Sequence, residues 1–296
     1  MNEPSRPSPG GAPSSELPWA PLDVAIVGAG RVGCSIGLAL LARGHRIVAA
    51  SVANKESARR VLDTLGAVPI VSPDEATSSA NVVVCAVPDD ALEEVVGLLG
   101  RGLQPDAVLI HTSGISGTDV LTPCGPNVAA IHPAQTIPEP TTDLAGVYFG
   151  VTAQPHMAAW ADWFVTELGG TAVAVPEEER VLYHAALSMA SNFAVTLAGD
   201  AAELLGDPAM IGPLVAQSVE NVSRFGADRA LTGPIVRGDA GTVRKHLAAL
   251  TANAPHLLEV YVANARRTLE RAVASGRLDA SRAKAVADAL EEAMVR

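Results

Sequence analysis

The chain runs to 296 residues, enough to bury two moderate hydrophobic cores, and 48% hydrophobic against 18% charged residues is the balance of a globular enzyme. A net charge of −11 argues against a nucleic-acid partner, because phosphate binding needs a basic surface. The three cysteines, Cys34, Cys85 and Cys124, are widely spaced and form no metal-ligand pair, so no metal is expected and the compartment reads as reducing.

In chain order, residues 1–21 are rich in Pro, Ser, Gly and Ala and read as a disordered tail rather than a signal peptide. No later stretch reads as long and apolar enough to span a membrane, so a cytoplasmic protein with no membrane partner is expected. Residues 22–176 alternate short β-branched runs with helical segments, the pattern of βαβ units. The runs are Val24–Val27, Arg46–Ala50, Asn81–Val87, Ala107–His111, Val128–His132, Val147–Thr152 and Thr171–Val175. Several are apolar on both faces, as strands covered by helices on each side must be. Beyond Pro176 no strand is expected, only helices broken at Asp207-Pro208, Gly212-Pro213, Gly233-Pro234, Ala254-Pro255 and Gly276. The predicted fold is α/β: a Rossmann-type, doubly wound and mostly parallel sheet over 22–176, then an all-helical domain over 177–296 for substrate contact and dimerisation.

The first strand leads into Gly28-Ala29-Gly30-Arg31-Val32-Gly33, which opens a helix and is followed by a second strand. In that context a G-x-G-x-x-G run predicts a dinucleotide site. Gly28 makes the tight turn, Gly30 lets backbone approach the pyrophosphate, and Gly33 permits close helix–strand packing. The helix N-terminus turns free N–H groups towards the phosphates. NAD-specific sites place an acid at the end of the second strand. Here the chain reads Ala50-Ser51-Val52-Ala53-Asn54-Lys55, with Arg59 and Arg60 beyond. Ser51 with a cation such as Lys55 suits a 2′-phosphate, so NADP(H) is the expected cofactor; at least one of these cations is a solvated helix face. Val87 and Pro88, and Thr112 in His111-Thr112-Ser113-Gly114, follow later strands and should line the same ligand edge.

From Tyr183 an apolar helix is expected to about Leu205, with His184, Ser188, Asn192 and Thr196 every fourth residue along one stripe. Such groups must find partners in other helices or in a substrate. His132, before Pro133 at a strand end, is a candidate proton donor or orienting group. Arg237, in Leu231-Thr232-Gly233-Pro234-Ile235-Val236-Arg237-Gly238-Asp239, either clamps a carboxylate or pairs with Asp239.

The order of Gly28–Gly33, His111-Thr112-Ser113-Gly114, His132-Pro133, Tyr183-His184-Ala185-Ala186 with Ser191-Asn192, and the Leu231–Asp239 turn resembles a bacterial group of Rossmann-like oxidoreductases. They carry a C-terminal helical domain of unknown function, within the 6-phosphogluconate-dehydrogenase-like superfamily. The resemblance spans about residues 22–275. It implies an alternative ketopantoate reductase, reducing 2-dehydropantoate, a small 2-keto acid, to pantoate with NADPH. Superfamily relatives place a Lys and, one turn later, an Asn on the first helix after the sheet. Asn192 fills the second slot, but the first holds Ser188, so His184 or His132 must supply the proton. In that reading Ser188 and Asn192 hold oxygens and Arg237 neutralises the carboxylate of the substrate. Imine reduction of the pyrroline-5-carboxylate type, and a non-catalytic NADPH-binding sensor, are the alternatives. A homodimer through the helical domain is compatible with each.

Overall fold

The computed structural model describes residues 21–294, so the expected tail lies outside the described residues except for Pro21. The seven expected runs all form strands: β1 (Asp23–Val27), β2 (Arg46–Ser51), β3 (Val82–Cys85), β4 (Val108–His111), β5 (Val128–Pro133), β6 (Tyr148–Ala153) and β7 (Thr171–Ala174). They make one sheet in the order β2-β1-β3-β4-β5-β6-β7. All neighbours are parallel except β5 and β6, which run antiparallel. The helices α1 (Arg31–Ala42), α2 (Lys55–Leu65), α3 (Pro73–Thr77), α4 (Leu92–Leu99), α5 (Ala158–Glu167) and α6 (Arg180–Ala190) belong to the same part of the chain.

Period-2 alternation explains the layering. On β1, Val24 and Ile26 enter one core with Ile36, Leu40, Trp160 and Phe164. Ala25 and Val27 enter the other with Val83, Leu92, Leu99 and Leu109. Helix starts are set locally. Asn54 Oδ1 accepts the Ser57 N–H (2.9 Å) at the head of α2. Ser72 and Glu75 close a capping box around Pro73 at the head of α3.

The chain divides into two compact units, one ending at Ser191 and the other beginning at Asn192. The change of sequence pattern at Pro176 falls one helix earlier, so α6 packs with the sheet. The second unit is helical throughout its described residues. Its helices are α7 (Asn192–Leu205), α8 (Ile211–Phe225), α9 (Ala227–Ala230), α10 (Pro234–Arg237), α11 (Ala240–Asn253), α12 (Leu258–Ala274) and α13 (Ala280–Met294). Val243, Leu247, Val262, Val286 and Leu290 form its main core.

Three expectations need correction. The Gly212-Pro213 pair breaks no helix: Pro213 sits in the first turn of α8, where a missing N–H costs nothing. The helix expected from Tyr183 to Leu205 is two helices, interrupted at Ser191 (φ −111°, ψ −72°). Finally, the helical stretch Glu177–Leu205 is long and apolar enough to cross a membrane by length and composition, an 18-residue part of it having a mean hydropathy of 1.3. Its alanines and leucines outweigh the few charges once Glu177–Glu179 fall outside the averaged stretch. The start of that stretch is nonetheless tied to the sheet by buried polar contacts.

Candidate active site

The Gly28–Gly33 turn joins β1 to α1 as the sequence predicts. Gly28 has φ +81°, and a Cβ there would meet Val87 Cγ1 at 2.6 Å and the Ala86 carbonyl at 2.8 Å. A Cβ on Gly33 would meet Ile26 at 2.8 Å and the Gly28 carbonyl at 2.9 Å. Above Gly30 the space is open, with no atom closer than 3.9 Å to such a Cβ. The N–H groups of Gly28 and Ala29 are satisfied by the Ser51 carbonyl, both at 3.0 Å. Those of Arg31, Val32 and Gly33 donate to no described residue, and the first turn of α1 carries no acid. Three free donors under an open glycine, at the positive end of a helix dipole, fit a dinucleotide pyrophosphate. Ser51 is buried as the last residue of β2; Lys55 is exposed as the first of α2. Arg60 is committed to Glu56 (3.3 Å) and Arg59 to Asp63 (3.9 Å), which leaves Lys55 and the exposed Arg31 without an ion pair among the described residues. Val87 abuts Gly28, Pro88 follows it exposed, and Thr112 ties its N–H to the Cys85 carbonyl at 3.1 Å.

The parallel strands β1, β3, β4 and β5 bring their carboxyl ends to one edge, so His132 shares that edge with the glycine turn. His132 is covered from α6. Its Nδ1 lies 3.0 Å from the Tyr183 hydroxyl, and the rings of Tyr183 and His184 each meet it edge-on at 5.7 Å. Burial, with the neighbouring imidazoles and the Arg180 charge, pushes the His132 pKa down to about 4, so it is neutral at pH 7. Burial also raises the Tyr183 phenol above its ordinary value, keeping it protonated.

His111 does structural work instead. Its Nε2 donates to the Gly117 carbonyl (2.7 Å) and its Nδ1 accepts the Ser113 N–H (3.1 Å). Both nitrogens are used, which fixes one neutral tautomer, and burial pushes its pKa to about 4.

Four residues at the start of the α6 segment dock on this framework. The Glu177 carboxylate accepts the Thr118 N–H (2.8 Å) and occupies the space a Cβ on Gly117 would need. Arg180, fully buried, donates to the Thr152 hydroxyl (2.8 Å) and to the Ser113 carbonyl (2.7 Å). Tyr183 lies where a Cβ on Gly150 would be, and His184 where one on Gly114 would be. Positions 177, 180, 183 and 184 share one helical face. Every one of those three glycines is therefore required by a side chain of that face.

The polar stripe expected at 184, 188, 192 and 196 is only begun. His184 and the half-buried Ser188 are on α6. Asn192 lies across the break, on α7, where the Thr196 hydroxyl donates back to its carbonyl at 3.1 Å. Arg237 is exposed at the end of α10 and makes no ion pair with Asp239, which instead caps α11 by accepting the Thr242 N–H at 3.0 Å. Glu177 and Arg180 were not singled out from sequence, and Tyr183 was named only as the start of the helix and of its motif. The three-residue spacing from Glu177 to Tyr183 was the available signal.

Comparison with known proteins follows the same division. The model of a Rossmann-like domain matches residues 8–133, and that of the domain of unknown function DUF2520 matches 147–268. Among curated proteins nothing matches. A Bacteroides fragilis protein assigned as an NADP oxidoreductase is 23% identical and superposes with a TM-score of 0.75, over 84% of this chain and 98% of that one. A Thermotoga maritima protein is 24% identical with a TM-score of 0.63, over 85% and 99%. An imine reductase of Streptomyces aurantiacus is 17% identical with a TM-score of 0.52, over 91% and 93%. These likenesses establish a shared fold.

Proposed function

For a chain that belongs to the Rossmann-like proteins carrying a DUF2520 domain, we propose an NADPH-dependent reductase of a small 2-keto acid, with 2-dehydropantoate the substrate and pantoate the product. The observation that carries the reading is the His132–Tyr183 pair, a protonated phenol hydrogen-bonded to a neutral imidazole on the glycine-turn edge of the sheet. The free N–H groups of Arg31, Val32 and Gly33 would hold the dinucleotide, whose nicotinamide would supply the hydride for the carbonyl carbon. Tyr183 gives its proton to the substrate oxygen as negative charge grows there. His132 Nδ1 returns a proton taken from solvent, and His184 completes the wall of the site. Ser188, on α6 with His184, holds a substrate oxygen in this reading.

Imine reduction is the second reading. The cation whose charge reaches His132 is Arg180, and it is wholly buried, so it cannot meet a substrate carboxylate. A substrate without one would suit that arrangement. A homodimer through the helical unit belongs to the proposal as well. Phe193, Val195 and Leu204 on α7, and Leu214, Val219 and Phe225 on α8, are exposed large apolar side chains of the kind a subunit interface would cover.

The test is NADPH oxidation with ketopantoate beside 2-ketoisovalerate, pyruvate and pyrroline-5-carboxylate. Turnover confined to ketopantoate supports the first reading and turnover confined to the imine supports the second. No turnover, with NADPH raising the melting temperature, sinks both and leaves a sensor.

A further inference from the structure

Arg180 heads the largest wholly buried side chains, and no carboxylate among the described residues lies within ion-pair distance of it. Neutral oxygens alone accept its hydrogen bonds: Nη1 donates to Thr152 Oγ1, which in turn donates to the Val175 carbonyl (2.5 Å), and Nη2 to the Ser113 carbonyl. Its Nε is buried without a hydrogen-bond partner. The guanidinium carbon lies 5.9 Å from the Tyr183 ring centre. Burying a charge on neutral acceptors is expensive, and a hydrophobic residue would hold α6 to the sheet at lower cost. Burial also forbids contact with substrate. The charge therefore has a use that only its field can serve.

We propose that Arg180 is a positioning residue: it locks Tyr183 and the Ser113–Gly114 loop around His132, and its charge favours the negative charge that forms on the substrate oxygen. The Glu177 carboxylate offsets that charge only from beyond ion-pair distance. The inference rests on the reductase reading above. A fixed charge aimed at a developing oxyanion from a dry site needs no reorganisation when the reaction occurs. Within the same site it opposes a second positive charge on His132. The groups that face His132 are Arg180, Tyr183 and His184 from α6, His111 from β4, and Asp89 from the turn after β3. Of these, Asp89 alone favours the imidazolium, and Arg180 is the permanent cation that opposes it.

The experiment is an NMR titration of the His132 imidazole in the full-length protein, read beside NADPH oxidation by ketopantoate. The proteins are wild type, Arg180→Met, Arg180→Lys and Thr152→Val. Arg180→Met is expected to raise the His132 midpoint above about 4, while burial and His184 still hold it below the ordinary value, and to lower kcat about 10²-fold with NADPH binding retained. Arg180→Lys, which keeps the charge, restores the midpoint. Thr152→Val removes a bond and leaves the charge, so it lowers the melting temperature without moving the midpoint. A wild-type midpoint in an Arg180→Met protein that still binds NADPH overturns the proposal. So does a midpoint that moves equally in Thr152→Val. Should Arg180→Met not fold, Arg180→Gln, which can keep the bond to Ser113, gives the same reading. If wild type turns over no carbonyl compound, the reductase reading fails while the titration still decides whether Arg180 sets the charge of His132.

Discussion

Replacing Tyr183 with Phe isolates the proton donor. The ring that occupies the space above Gly150 stays, and so does its approach to Arg180; one oxygen is lost, together with its 3.0 Å bond to His132. One net hydrogen bond contributes about 1 kcal/mol to stability, so the melting temperature should fall by roughly 2–4 °C. Loss of a general acid costs about 10²–10⁴-fold in rate, or roughly 3–5 kcal/mol of barrier. The catalytic term is several times the structural one, and unfolding cannot imitate it. Steady-state NADPH oxidation at saturating cofactor should therefore show kcat down at least about 10²-fold. The Kd for NADPH, from fluorescence, should be unchanged, because Tyr183 does not touch the glycine turn. In wild type the rate should be flat through neutral pH and decline only above the ordinary tyrosine range, since burial raises the phenol. A Tyr183→Phe enzyme keeping more than about a third of wild-type kcat, well short of the loss a general acid predicts, would refute the assignment and leave His184 as the donor.

Other consequences are as direct. His111 and His132 have folded pKa values of about 4 against an ordinary 6.5, so below pH 6.5 the unfolded chain takes up protons that the folded chain refuses. Stability should be fully present above pH 7 and fall as pH drops from 6.5 towards 4. The loss from pH 7 to pH 5 is about 2 kcal/mol per imidazole, and urea melts at the two pH values that coincide would contradict both environments. Gly28→Ala puts a Cβ into Val87 at a left-handed turn (φ +81°), and should weaken NADPH binding by about tenfold or more in calorimetry while the fold persists. Ser51→Asp sets a carboxylate where a 2′-phosphate is expected; the NADPH-to-NADH preference should fall by at least about tenfold, and an unchanged ratio would move the phosphate site to Arg31.

The strands and the glycine turn were legible because their causes are local. Parallel strands covered on both faces are apolar throughout, and Gly28 is required by its own turn and its neighbour Val87. His132 was legible too, since a His-Pro step at a strand end marks the ligand edge of such a sheet. Arg180 was not. Charged side chains are rarely buried, and this one is buried because Thr152 and Ser113, 28 and 67 residues away, present oxygens to it. The break at Ser191 was equally hidden, because nothing in its neighbours stops a helix; Ser191 folds its hydroxyl onto the Leu187 carbonyl at 2.7 Å.

The helix after the sheet offered two polar stripes of comparable regularity. One ran 184, 188, 192, 196; the other ran 177, 180, 183, 184. Periodicity alone could not rank them, since each gives a single face. What ranks them is the other side of the contact. The second stripe meets Gly117, Thr152, Gly150 and Gly114, each small or hydroxylated where a larger side chain would collide or leave a donor unpaired. The first stripe loses its register at Ser191, so Asn192 and Thr196 open a different helix. A glycine in the sheet unit is thus half of a pair. Gly114→Ala should displace the His184 imidazole, and with it the edge-on contact to His132, without altering the residues that do the chemistry. A Gly114→Ala enzyme with wild-type kcat and an unshifted His184 resonance would mean that the fit between glycine and helix face is packing alone. A selective fall in kcat, with NADPH binding and melting temperature held, would show that the fit places the proton-handling groups.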